Sequence, residues 1–222
     1  MINILKSYTA IRKDIKEFIK TIPSHITLVA ATKYFSAEQM LELYENGITN
    51  FGENRVDSFL NKHNQLSNLQ INWHFIGHLQ RNKAKDVINK IDCLHSLDSL
   101  KLAEVIEKYR EKPLECFIEV SVNREENKNG VDPKDLINFT KQLLSFSKIK
   151  IVGLMMMAIE FSEHDELMEQ FSQLTKLRDK LENELEIKIP YLSMGMSDDY
   201  LEAIECGATH IRLGRILTDN RL

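Results

Sequence analysis

The feature that most constrains this chain is the regular alternation, from one end to the other, of short apolar runs with longer segments of helical period. Runs that are apolar at successive positions suit strands buried on both faces, and helices between them supply the crossovers that parallel strands need. Eight such runs occur, at 26–33, 49–53, 71–77, 93–97, 114–122, 150–158, 191–195 and 210–214. Eight βα repeats in 222 residues predict an α/β fold, a single (β/α)8 barrel of the TIM type, slightly shorter than the usual length of about 250 residues. No linker or low-complexity tract divides the chain, so 1–222 is expected to form one domain. Its segment 1–22, apolar at Ile4, Ile11, Ile15, Phe18 and Ile19, is expected to be an amphipathic helix packed on the barrel.

Helix punctuation supports the intervening segments. Ser36 and Gln39 have the spacing of a capping box, and Gly47 follows the last apolar position of that helix. Asp132 before Pro133 predicts a second start, and Ser162 with Asp165 a third. Ser197 predicts a fourth, with Asp198 and Asp199 in its first turn and Gly207 closing it.

Composition excludes several functions. A net charge of −4 provides no broad positive field for nucleic acid, and the basic run Arg81, Lys83 and Lys85 reads as a solvated helix face. Cys93, Cys116 and Cys206 are odd in number and widely spaced, which suits reduced, buried thiols in a cytoplasmic protein. The N-terminus lacks the uninterrupted apolar core of a signal peptide, and no apolar stretch is long enough to span a bilayer. No HExxH or CxxC spacing suggests a metal, and no GxSxG, P-loop or GxGxxG string occurs.

In a βα barrel chemistry gathers where the strands end. Lys33 closes the first apolar run, where partial desolvation would raise its fraction of neutral amine, the form that condenses with an aldehyde. A solvated surface lysine just past a strand has the same sequence position, and position alone does not choose between them. At the other end, Ser197, Gly195 and Gly214 lie after strands seven and eight, where barrels often bind phosphate. Arg212 lies inside an apolar strand and so needs a partner, either a ligand nitrogen or an internal carboxylate. His74 and His78 read as structural residues, and Met155, Met156 and Met157 as core or wall packing.

The strings AATKYFS (30–36), FGENRV (51–56), WHFIGHLQRNK (73–83), NKNGV (127–131), VGLMMMA (152–158), LSMGMSDD (192–199) and IRLG (211–214) resemble the pyridoxal phosphate homeostasis protein family. These are small single-domain relatives of the alanine racemase barrel. The resemblance runs from about Leu28 to Gly214 and implies the fold type III pyridoxal-phosphate class, with pyridoxal 5'-phosphate held as an internal aldimine on Lys33. It further implies that Asn54 lies beside the cofactor, that Ser193, Ser197 and the backbone of Gly214 and Arg215 hold its phosphate, and that Arg212 faces its pyridine nitrogen. An arginine there keeps its proton, so the ring nitrogen stays unprotonated and the ring is a weak electron sink. Met157 stands where racemases of this fold carry a ring-stacking histidine, and Arg215 stands where the family usually has a threonine.

The implied function is intracellular buffering and delivery of the cofactor by a monomer, with apo forms of pyridoxal-dependent enzymes as its partners and no catalytic residue assigned. A racemase of this fold needs a second acid or base from an added domain, and a chain ending at Leu222 is expected to leave no room for one. The alternatives are an amino-acid racemase or lyase, or a Schiff-base aldolase acting on a phosphorylated substrate. Lys128, in the NKNGV loop, is expected either to assist transfer or to be a solvated loop lysine.

Overall fold

The computed structural model describes residues 10–122 and 129–219; Ile4 and Lys128, both named above, lie outside them. All eight apolar runs form strands: β1 Thr27–Ala31, β2 Asn50–Glu53, β3 Asn72–Phe75, β4 Cys93–Leu97, β5 Leu114–Glu119, β6 Ile149–Met155, β7 Tyr191–Ser193 and β8 His210–Leu213. They pair in parallel and in chain order, and β8 returns to β1 to close the barrel. Between them run helices α2 Ala37–Glu45, α3 Val56–Gln65, α4 Arg81–Val87, α5 Leu100–Tyr109, α6 Leu136–Leu143, α7 His164–Leu185 and α8 Tyr200–Glu205, after a short α1 at Ile15–Thr21.

Most strands end one to three residues before the apolar run does. The chain leaves the sheet at the barrel mouth, yet side chains just beyond it, such as Thr32, Met156 and Met194, stay fully buried. Burial therefore extends further along the sequence than backbone pairing.

Outside the barrel the strands pack on the helices through large apolar side chains. Phe59 of α3 meets Trp73 of β3 edge to face, with centroids 5.2 Å apart, a contact of about 0.5–1.5 kcal/mol beyond its area. Gly153 lets β6 approach β7, since a Cβ there would lie 2.0 Å from the Tyr191 carbonyl oxygen. Within α1 and just before it, Ile15, Phe18 and Ile11 join the main core, but Ile11 bridges to Thr218 as extended chain, so the helix is shorter than its apolar pattern.

The Ser36–Gln39 capping box forms, and Gly47 and Gly207 take the positive φ values of 96° and 91° that follow helix ends. Three other helix starts differ from expectation. Asp132 makes a turn, accepting from the Lys134 amide at 2.9 Å, and α6 begins later, after Asp135. Glu163, paired with Glu166, caps α7, while Ser162 accepts from Gln170 instead. Ser197 does not cap α8; Asp199 precedes it and accepts from the Met196 amide. Cys93 and Cys116 are buried thiols as expected, whereas Cys206 is only half-buried. Among the described residues no helix is long and apolar enough to cross a membrane.

Candidate functional site

β1 lies between β2 and β8, and β8 also pairs with β7. The loops that carry Asn54, Lys33, Gly214 and Ser197 are therefore consecutive around one arc of the mouth. Lys33 sits two residues beyond the end of β1 and is exposed. The expected desolvation of its amine is absent, because the strand ends early enough for the side chain to leave the apolar layer. Its Nζ lies 4.8 Å from the centre of the Tyr34 ring, and among the described residues it makes no ion pair.

The residue before it is held firmly. Thr32 is fully buried, and its hydroxyl donates to Glu53 Oε1 at 2.7 Å. Lys62 Nζ, reaching in from α3, donates to the Thr32 carbonyl at 2.6 Å and to Glu53 Oε1 at 2.5 Å. Sequence reasoning missed both Glu53 and Lys62. The available signal was a carboxylate ending an apolar strand and a lysine one helical turn after Phe59, on the buried stripe of α3.

Asn54 follows β2 and is half-buried, and its Oδ1 is fully enclosed without a hydrogen-bond partner. Such an oxygen costs about 1–3 kcal/mol unless a donor reaches it, so it suits a ligand with a hydroxyl or N–H at this point. Gly77 makes the position possible, because a Cβ there would lie 2.5 Å from both Asn54 Cβ and the Asn54 carbonyl oxygen. Gly77→Ala is accordingly expected to push Asn54 aside, cost about 1–3 kcal/mol in stability and weaken ligand binding about tenfold, as measured by chemical denaturation and by titration.

Across the arc, Ser197 Oγ accepts from the Gly214 amide at 3.2 Å and from the Ile216 amide at 3.3 Å. Two convergent N–H groups on one oxygen are the donor pattern of an anion site. Gly195, at φ 90°, brings this loop close to α8, since a Cβ there would meet Ala203 Cβ at 2.6 Å. Arg215 is exposed and its guanidinium pairs with Asp198, so its charge is already engaged. Met157, just after β6, is 49% exposed at the mouth.

Arg212 projects into the barrel and is 4% exposed. Its partners within the protein are a hydroxyl and a backbone carbonyl, not the internal carboxylate that was one of the two expectations. It donates to Ser193 Oγ at 2.7 Å and to the Met156 carbonyl at 2.9 Å. Burial draws its pKa down to about 10, against the opposing fields of Asp199 and Glu119, so it stays cationic at neutral pH. Glu119 is itself pushed up to about 7, mainly by burial. Ser193 is fully buried with its hydroxyl on Arg212 and His95, so it stands beneath the guanidinium and apart from the Ser197 cluster. His95 and His74 were not singled out as site residues from sequence, although a histidine inside each apolar strand was visible.

The arc thus offers a solvent-reaching primary amine, an enclosed side-chain amide oxygen awaiting a donor, a two-amide anion cradle and a buried fixed cation. These groups suit a planar aldehyde with a phosphate arm and a ring nitrogen.

Comparison with known proteins agrees with this chemistry. Residues 7–220 match the family model described as the alanine racemase, N-terminal domain. The pyridoxal phosphate homeostasis protein of Aquifex aeolicus is 40% identical over 197 residues, covering 87% of this chain and 86% of its own length. Its namesake in Synechocystis is 37% identical over 211 residues, covering 93% and 96% respectively. Among solved structures, PipY of Synechococcus elongatus with pyridoxal phosphate bound superposes with a TM-score of 0.85 at 31% identity, over 92% of this chain and 99% of that one. Alanine racemase of Corynebacterium glutamicum, at 14% identity and a TM-score of 0.71, shares the fold over 90% of this chain and 57% of that one.

Proposed function

Because this chain belongs to the family of the alanine racemase N-terminal domain, and within it to the pyridoxal phosphate homeostasis proteins, we propose that it binds pyridoxal 5'-phosphate and buffers or delivers that cofactor inside the cell. The observation that carries the reading is the enclosed, unpartnered Oδ1 of Asn54 on the loop next to the exposed Lys33. When bound, the cofactor supplies an aldehyde able to form a reversible covalent link to a lysine and a ring able to draw electrons from it.

The residues divide the work of holding it. Lys33 provides the covalent anchor, and its freedom at the mouth lets the anchor form and open without distorting β1. Asn54 accepts a hydrogen bond from a ring substituent. Ser197 holds the Gly214 and Ile216 amides in a cradle where a phosphate oxygen can replace its own, with its hydroxyl then turned to donate. Arg215 adds little there because Asp198 engages it. Met157 shields one face of the ring. Arg212, a fixed cation, keeps a proton off the ring nitrogen and so weakens the ring as an electron sink, which favours storage over turnover. Apo forms of pyridoxal-dependent enzymes are the natural recipients, and three free thiols suit the reducing cytoplasm.

The test is to load the protein with pyridoxal phosphate, remove the excess by gel filtration, reduce with borohydride and map the modified peptide. One equivalent on the peptide containing Lys33 is expected; no retained cofactor, or a label elsewhere, would overturn the assignment. The match to the racemase domain favours a second reading, a racemase or lyase. Deuterium exchange at Cα of added amino acids separates the two: none at enzyme-like rates is expected.

A further inference from the structure

We infer that His95 and His74 form a one-way hydrogen-bond chain beneath Arg212, and that His95 is a positioning residue which, through Ser193, fixes the guanidinium that faces the cofactor's ring nitrogen. The inference deepens the cofactor reading and rests on it for the ligand, although not for the proton assignments.

The assignments follow from donor chemistry. A guanidinium only donates, so Ser193 Oγ is the acceptor in its 2.7 Å contact with Arg212. The Ser193 proton then goes to His95 Nδ1 at 2.8 Å. With Nδ1 accepting, the His95 proton sits on Nε2, which faces His74 Nδ1 at 2.9 Å. His74 in turn carries its proton on Nε2 and donates to Asn50 Oδ1 at 3.2 Å. Running the chain the other way, from Asn50 toward Ser193, would bring two donors onto the serine oxygen and leave its own proton without an acceptor. A cationic His95 would do the same and would add a second buried charge beside Arg212.

The surroundings hold both rings neutral. Burial, aided by the field of His210, lowers His74 to about 3. Burial, then His74, His210 and Arg212, hold His95 well below its ordinary value. Ring orientation is set by packing, since His95 stacks on Phe117 with centroids 4.5 Å apart and planes at 30°. Ser193 is therefore offered to Arg212 only as an acceptor, and with the Met156 carbonyl it takes two of the guanidinium N–H groups. The remaining guanidinium N–H groups are left for a ligand.

The same region could be read as a metal site, because His74, Cys93 and His95 bring ligand atoms within 4.8 Å of one another. Two nitrogens 2.9 Å apart already share a proton. They are closer than the roughly 3.3 Å between nitrogens on a tetrahedral zinc ion, and burial pushes the Cys93 thiol up, away from the thiolate a metal needs.

The experiment is nitrogen-15 NMR of histidine-labelled protein, first without cofactor and then loaded. Both rings are expected to show a bare Nδ1 and a protonated Nε2, unchanged between about pH 5 and 8. A protonated Nδ1 on His95, titration of either ring in that range, or displacement of both signals by one equivalent of zinc would overturn the inference. In loaded protein, His95→Leu is expected to release cofactor about tenfold faster, through loss of one buried hydrogen bond. His95→Gln, whose carbonyl can accept from Ser193, should stay within about twofold of wild type. Equal release by the two folded variants would refute the positioning role. Should wild-type protein fail to hold the cofactor, the cofactor reading fails and with it this role, while the ring signals of unloaded protein still decide the chain.

Discussion

Lys33→Ala should emerge from gel filtration colourless after incubation with pyridoxal phosphate, with affinity reduced at least about 100-fold, or about 2.8 kcal/mol. Without the amine, the proposed contacts of Asn54, Met157, the Ser197 cradle and Arg212 would remain, and these form no covalent bond. Stability should hardly move, within about 0.5 kcal/mol, because Lys33 is exposed and makes no ion pair among the described residues. Equilibrium dialysis and urea denaturation of the same preparation give both numbers. Stoichiometric retention by the variant would show that Lys33 is not the anchor.

Lys62→Met is expected to act in the opposite way, strongly on stability and only secondarily on binding. Glu53 is fully buried and Lys62 nearly so, and one ammonium serves both the Glu53 carboxylate and the Thr32 carbonyl. Deleting it leaves an uncompensated carboxylate inside the protein, at a cost of about 3–5 kcal/mol. Adding Glu53→Gln should recover most of that, since the amide can still accept from Thr32 and carries no charge. Cofactor affinity should fall as well, because Thr32 loses the donor that holds the turn leading into Lys33. A stability loss below about 1 kcal/mol would mean that the pair is hydrated and does not organise the turn.

Much of this architecture was legible because it depends on local pattern. Runs apolar on both faces, separated by helical periods, admit little besides parallel strands with helices outside, and eight of them close a barrel. Ser36 with Gln39 worked as a helix signal because a capping box involves only residues three apart. Asp132, Ser162 and Ser197 did not, because a serine or aspartate before a helix has several amides within reach, and which one it takes depends on where the loop is anchored. For Ser197 the competitors were the amides of Gly214 and Ile216, which the sequence places far away and the barrel places alongside.

The candidate site divides along the same line. From sequence alone come the strand-end lysine, the single glycines in the turns after the last two strands, the arginine inside an apolar strand and the family resemblance. Only the tertiary structure decided what each buried polar group touches. It put Lys62 on Glu53 across two elements, left the side-chain oxygen of Asn54 without a donor, moved Ser193 from the phosphate cradle to a place beneath Arg212, and aligned two histidines from neighbouring strands. The reason is the range of the forces involved. Hydrophobic periodicity is written in neighbours a few residues apart, whereas a buried donor finds its acceptor through barrel register, which is set by the closure of all eight strands together.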